Sequence, residues 1–172
     1  MTDKKALLVI DMQNDYLWAE RKTIFSYDTD SLVKSVNDTI AQHKASGEDI
    51  IYRGQVFPNI FTNRLIIGFS IKGSKGAELY SGLDVVSTLY FEKYLPNTFT
   101  SKSFKEYLSK NTYSTFTLCG LDLCGCVGAT VEGALRTGAE VFLDEKSTGC
   151  RFSADKAQKR KTELINKGVK FI

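Results

Sequence analysis

Asp11, Lys93 and Cys126 are the side chains of this sequence whose types and placement can do chemistry together. Each stands at or just after the carboxyl end of a short apolar run, where an open parallel sheet gathers its ligand crevice. Asp11 closes Ala6-Leu7-Leu8-Val9-Ile10, Lys93 follows Leu89-Tyr90-Phe91, and Cys126 follows the run 114–119 after a turn and opens a helical segment. At a helix start the unpaired backbone N–H groups and the macrodipole favour a thiolate, so the Cys126 pKa is expected to fall. The same N–H groups can hold an oxyanion, a nearby carboxylate can take the thiol proton, and an ammonium can balance the charge. Spacing alone leaves a plainer alternative open, because aspartates commonly close strands and most cysteines in such folds are merely packed.

These positions need elements to hold them. The run 6–10 is too short for a helix and rich in branched residues, which predicts a strand buried on both faces. Between Asp28 and Ser46, Leu32, Val36 and Ile40 recur every four residues, with Asp28 or Asp30 as cap and Gly47 as stop, so an amphipathic helix is expected. Asp49-Ile50-Ile51-Tyr52-Arg53 follows as a strand. Residues 54–88 show no period and carry Gly54, Pro58, Gly68, Gly73, Gly76 and Gly82, the pattern of a long excursion, and such loops are usually functional. Beyond it the pattern alternates: strand 88–91, helix 101–110, strand 114–119, helix 126–137, strand 140–144, helix 153–166 and strand 169–172. Alternation implies right-handed crossovers and covered sheet faces, hence an α/β fold: a three-layer α/β/α sandwich with a mostly parallel sheet of about six strands.

A chain of 172 residues suits one domain over 1–172 with a single core. Its 42% hydrophobic and 25% charged residues exclude a disordered chain. The net charge of +3 is dispersed except at Lys156-Ala157-Gln158-Lys159-Arg160-Lys161, read as a solvated helix face rather than a nucleic-acid or anionic-surface patch. No run reaches the length that crosses a bilayer, and the apolar run after Met1-Thr2-Asp3-Lys4-Lys5 is too short for a signal-peptide core. A cytoplasmic protein without membrane or nucleic-acid partners is therefore expected. Three of the four cysteines crowd into 119–126, unlike a disulfide framework, so free thiols are expected.

Ala6-Leu7-Leu8-Val9-Ile10-Asp11-Met12-Gln13-Asn14-Asp15-Tyr16 resembles the opening motif of the isochorismatase-like cysteine hydrolases, in which a strand ends in Asp followed by a Gln and an aromatic. Gly120-Leu121-Asp122-Leu123-Cys124-Gly125-Cys126-Val127, with Thr130 and Ala134, is similar to that family's nucleophile turn and following helix. Phe91-Glu92-Lys93, with Phe99 six residues on, is similar to its lysine segment. The order Asp, Lys, Cys also matches, so the resemblance covers nearly the whole chain. It implies an isochorismatase-like, Rossmann-like fold and an Asp-Lys-Cys triad on Asp11, Lys93 and Cys126. It further implies hydrolysis of an amide or carbamoyl C–N bond of a small molecule through a thioester. An oxyanion hole from the backbone N–H groups of Asp122 and Cys126, a cis peptide just before Asp122, and a homo-oligomer follow from the same resemblance. Tyr16, Trp18 and Phe99 are the expected substrate-binding residues, against ordinary packing as the alternative. Phe57, Phe61 and Phe69 are further candidates for an apolar wall. Arg53 or Arg64 is a candidate for a substrate carboxylate, against a solvated surface arginine.

The sequence also departs from the family. The nicotinamidase branch carries an Asp and histidines after the second strand to hold a divalent metal, whereas this chain has Tyr52-Arg53-Gly54-Gln55-Val56-Phe57-Pro58-Asn59. Its one histidine, His43, falls near a helix end, where the dipole satisfies it, so neither a histidine metal site, another cofactor nor a Cys-His dyad is expected. Leu123 and Cys124 fill positions that are Thr-Asp in many relatives. Cys124-Gly125-Cys126 is a possible redox or metal pair, with Cys119 read as strand core and Cys150 as a loop residue. Cys124 as nucleophile is the alternative that Val127 and Thr130 argue against. Two other functions stay open: vinyl ether hydrolysis of the isochorismatase type, and a non-catalytic scaffold.

Overall fold

The computed structural model describes residues 4–172, and Met1, Thr2 and Asp3 of the segment read above as no signal peptide lie outside them. Six strands form one sheet: β1 (Lys5–Ile10), β2 (Asp49–Gln55), β3 (Tyr90–Lys93), β4 (Thr115–Gly120), β5 (Glu140–Thr148) and β6 (Lys170–Phe171). Their order is β3-β2-β1-β4-β5-β6 and every neighbouring pair is parallel. The chain starts in the centre, runs out to β3, returns to β4 and runs out the other way. The direction of winding therefore reverses between β1 and β4, and the carboxyl ends of those two strands open a crevice.

Strand β1 is buried on both faces because its apolar residues alternate between two cores. Ala6, Leu8 and Ile10 join one cluster, and Leu7 and Val9 the other. On the second side lie α1 (Asn14–Leu17) and α2 (Thr29–Ala45), which buries Leu32, Val33, Val36 and Ile40 after the Asp28 carboxylate caps it by accepting from the Ser31 N–H. Removing that cap costs typically about 1 kcal/mol. After α3 (Phe61–Ile66), the helices α4 (Lys102–Leu108), α5 (Cys126–Leu135) and α6 (Ala154–Asn166) supply Phe104, Val127, Val131, Ala134 and Leu164 to the first cluster. Full burial of one such apolar side chain contributes about 1.5–3 kcal/mol. A charge at Ile40 or Leu164, both 0% exposed, would open the corresponding layer.

The segment 54–88 is more ordered than its sequence suggests. It holds the end of β2, the short helix α3 and a 3-10 turn, Lys75–Ala77, none long enough to show a period. Gln13 ties it down: its side-chain amide donates to Gln55 O (2.9 Å) and Ala77 O (2.7 Å) and accepts from Gln55 N–H (2.9 Å). Strand β5 runs on to Thr148, beyond the expected end at Asp144, because Thr148 pairs with Gly120 past an irregularity in β4. His43 lies near the end of α2 against Glu48 (2.5 Å), and the basic run lies on α6 with Arg160 paired to Glu132 and Glu163 and Lys161 to Glu145. Among the described residues no helix is long and apolar enough to cross a membrane.

Candidate active site

Asp11 follows the last residue of β1 with φ of 52°, in the left-handed region. Aspartate enters that region more readily than most residues, at a cost of order 1–3 kcal/mol. The conformation is held by its N–H, which donates to Arg53 O on β2 (2.8 Å), and by its carbonyl, which accepts from Gln13 N–H (2.9 Å). Lys93 ends β3, two strands away, a separation of about 9–10 Å. Its long stem closes the gap: Nζ donates to Asp11 Oδ2 (2.9 Å) and, on the intervening strand, to Gln55 Oε1 (2.8 Å). Lys93 is fully buried, and Asp11 Oδ1, also buried, has no partner among the described residues.

Cys126 reaches the same place through the turn after β4. Gly120 has φ of 105°, and a Cβ there would stand 2.2 Å from Ile10 O, so only glycine lets the turn lie against the end of β1. The Leu121–Asp122 peptide is cis, and Leu121 N–H donates to Ile10 O (2.8 Å). The Asp122 side chain, given only a backbone part by the sequence, pins the turn: Oδ1 accepts from Cys124 N–H (2.8 Å), and Oδ2 from Tyr27 Oη (2.9 Å) and Arg151 N–H (2.7 Å). The backbone N–H groups of Asp122 and Cys126 have no acceptor among the described residues.

The Cys126 thiol is pushed up to about 12, first by burial and then by the Asp11 carboxylate, with Lys93 opposing. This corrects the expectation of a lowered pKa. At the helix start the sulfur is enclosed and faces a carboxylate, and those two effects outweigh the ammonium. The sulfur lies 4.0 Å from Gln55 Oε1.

Above these groups lies a cavity of about 260 Å³, lined by Asp11, Gln55 and Cys126 at one end and by aromatic walls. Tyr16, Phe25, Phe57 and Phe69 pack edge to face at centroid separations of 4.8 to 5.9 Å, and the Tyr16 hydroxyl accepts from Ser70 Oγ (2.8 Å). Of the expected substrate-binding residues, the structure brings only Tyr16 here. Trp18 follows the last residue of α1 in an extended conformation (φ −71°, ψ 169°), leaves the helical path that carries Tyr16, and lines a separate surface hollow with Arg64 and Asn59. Phe99 belongs to the core: its 3-10 turn, capped by Asn97, points the ring at Phe104 (5.3 Å) and Phe116 (5.5 Å). Phe61 is 77% exposed on α3, and Arg64 donates to Asn59 on the surface.

Arg53 is neither a ligand-binding nor a solvated arginine. It is fully buried, stacked near Phe104 (4.5 Å) and Phe91 (5.3 Å), and burial brings its pKa down to about 9. The guanidinium in the cavity is Arg151, from the loop after β5, lying over Phe25 (5.4 Å) and Phe152 (5.0 Å) with no acidic partner among the described residues. Sequence reasoning missed Arg151, Gln55, Tyr27, Phe25 and Tyr94. Only Gln55 carried a usable signal, its place at the end of β2.

A family model described as the isochorismatase domain matches residues 5–170. The chain belongs to the isochorismatase family. Solved members and relatives share its fold at low identity. A pyrazinamidase of Pyrococcus horikoshii in complex with zinc is 23% identical, with TM-score 0.84 and 98% of each chain covered. An isochorismatase family protein of Desulfovibrio vulgaris is 18% identical, with TM-score 0.83 over 99% of this chain and 94% of the other. The nicotinamidase/pyrazinamidase of Bacillus subtilis is 18% identical, with TM-score 0.82 and 98% of each chain covered. No curated protein matches.

As an isochorismatase-family hydrolase this chain does not present the donors of a zinc site after β2. Gln55 at the end of β2 and Phe57 and Asn59 just beyond it stand there, and His43, near the end of α2, is engaged with Glu48. Among the described residues the group with metal-like spacing is Asp122, Cys124 and Cys150, and three hydrogen bonds already hold that carboxylate. A Lewis-acid metal does not fit the residues present at the cavity.

Proposed function

We propose that this protein is a cysteine-dependent hydrolase of a small-molecule C–N bond, amide or carbamoyl, with Cys126 as nucleophile, Asp11 as general acid and base, and Lys93 as the balancing cation. The observation that carries the reading is the division of labour at Asp11. One oxygen is held by Lys93, while the other, buried and without a hydrogen-bond partner among the described residues, is left for a proton beside the Cys126 thiol. A thiol held at about 12 is protonated at neutral pH, so it needs such a base.

In this scheme Asp11 takes the thiol proton as the sulfur forms its bond to the carbonyl carbon. The carbonyl oxygen becomes an oxyanion facing the unpartnered N–H groups of Asp122 and Cys126. Loss of one such donor costs about 2.7–4 kcal/mol in acyl transfer. Collapse re-forms the C=O and breaks the C–N bond, and the departing amine leaves with the proton that Asp11 holds. Water, deprotonated by Asp11, then attacks the thioester, and the thiol regains its proton as the acid departs.

The aromatic walls and the unpaired Arg151 favour a flat or compact substrate with an anionic or strongly polar end turned toward that guanidinium. The names of the Pyrococcus and Bacillus relatives, a pyrazinamidase and a nicotinamidase/pyrazinamidase, agree with amide chemistry. The test is a screen of small amides, ureas and carbamoyl compounds with ammonia detection. Turnover should vanish in Cys126→Ala with the melting temperature nearly unchanged, and brief acid quench of the wild type should trap an acyl adduct on Cys126. Undiminished turnover in Cys126→Ala would overturn the mechanism.

A further inference from the structure

Two thiols beside the cavity have no part in that chemistry. Cys124 Sγ and Cys150 Sγ lie 3.7 Å apart although 26 residues separate them, one on the turn before α5 and the other on the loop after β5. Both are partly exposed, and neither is in a disulfide. A disulfide needs the sulfurs at about 2.05 Å, so an approach of about 1.7 Å would join them.

The backbone has already brought the two segments together. Leu123 N–H donates to Gly149 O (2.9 Å), Gly149 N–H to Gly120 O (2.9 Å), and Arg151 N–H to Asp122 Oδ2 (2.7 Å). The ordering that closes a loop of this length is therefore supplied by the fold before any sulfur bond forms. Asp122, the third member of the cluster, is turned inward to Tyr27, Cys124 N–H and Arg151 N–H, which leaves the sulfurs to react as a pair.

We propose that Cys124 and Cys150 form an oxidisable dithiol, a modification site for low-molecular-weight disulfides, distinct from Cys126. In the forward direction the Cys150 sulfur loses its proton to solvent and attacks one sulfur of the reagent RSSR, expelling RS⁻, which is protonated. Cys124 then gives up its proton and attacks the Cys150 sulfur of the mixed disulfide, releasing the second RSH. Two electrons pass from the protein thiols to the reagent, and the net change is one S–S bond for two RSH. Burial and the Cys150 thiol hold the Cys124 pKa up to about 12, which makes Cys124 the poorer first attacker; its own attack comes second, where proximity to the mixed disulfide offsets the small thiolate fraction. The product ties the Arg151 loop to the turn that carries the Asp122 and Cys126 N–H groups.

The test reads thiols rather than turnover, so it stands apart from the hydrolase reading. Folded protein is equilibrated in buffers of increasing glutathione disulfide to glutathione ratio, acid-quenched, denatured and alkylated. The alkylated-thiol count per chain should fall from four to two in one step, with Cys119 and Cys126 still alkylated and fragmentation joining Cys124 to Cys150. Phenylarsine oxide, which bridges paired thiols, should bind the reduced protein once per chain. Cys124→Ser and Cys150→Ser, each shown to melt like the reduced wild type, should abolish both results. Four free thiols at the most oxidising ratio, glutathione adducts in place of the internal bond, or a bond that includes Cys126 would overturn the proposal.

Discussion

The Lys93 ammonium lies 2.9 Å from Asp11 Oδ2 with the two side chains 0% and 4% exposed, across 82 residues of sequence. A buried pair of this kind is costly to break from one side, because the remaining charge keeps its desolvation penalty without its partner. Lys93→Met should therefore destabilise the protein by about 3–5 kcal/mol. In a chain of this length that lowers the melting temperature by roughly 2–4 °C per kcal/mol. Asp11→Asn leaves the buried Lys93 ammonium an acceptor but no counter-charge, so it should also lower the melting temperature, and it should lose a factor of about 10²–10⁴ in kcat. Thermal melts and rates of both variants check the pair. A Lys93→Met protein as stable as wild type would contradict it.

Alkaline pH should weaken the fold in a defined window. Burial and the Asp11 carboxylate raise the Cys126 thiol from its ordinary 9.0 to about 12, and burial raises Cys124 to about 12. Burial and Asp144 raise Cys119 as well. For a group whose folded pKa is raised, the stabilising contribution is fully present below the unfolded value and is lost as pH climbs through the folded one. The melting temperature should hold below about pH 9 and fall from there toward about pH 12. Cys126→Ser should flatten part of that fall. A curve for the variant parallel to wild type would count against the burial of this thiol.

Arg151 should govern binding more than the chemical step. Once a substrate is identified by the ammonia screen, Arg151→Met should raise KM for substrates with an anionic end by about 10-fold or more, the loss of a charge-assisted hydrogen bond, while changing kcat little. Neutral substrates of the same size should be affected less. Equal losses for both kinds would mean that the guanidinium acts through the wall it shares with Phe25 rather than through its charge.

Helix α3 exposes Phe61 (77%), Leu65 (73%) and Ile66 (78%) side by side, an apolar surface that isolated domains seldom leave open. We infer that a second copy of the chain covers it in a homo-oligomer. Sedimentation at micromolar concentration should give a multiple of the 19.2 kDa chain mass, and Phe61→Glu with Leu65→Glu should reduce it toward one chain. A single-chain mass for the wild type would refute the assembly.

Much of this arrangement was legible along the chain because it rests on local periodicity. The unbroken apolar run 6–10 announced a strand with two buried faces, and the four-residue spacing of Leu32, Val36 and Ile40 announced α2. The strand-end positions of Asp11, Lys93 and Cys126, together with the motifs around them, pointed to one end of the sheet. Tertiary structure decided what depends on neighbours remote in sequence. Periodicity could not say that Gln55 would stand between Lys93 and Asp11, that Phe99 would turn into the core, or that Arg53 would be buried between rings while Arg151 entered the cavity. Nor could it give the Cys126 thiol its raised pKa or bring Cys150 against Cys124. Burial and charge at a site are sums over everything the fold packs around it, and a single stretch of sequence carries only its own share.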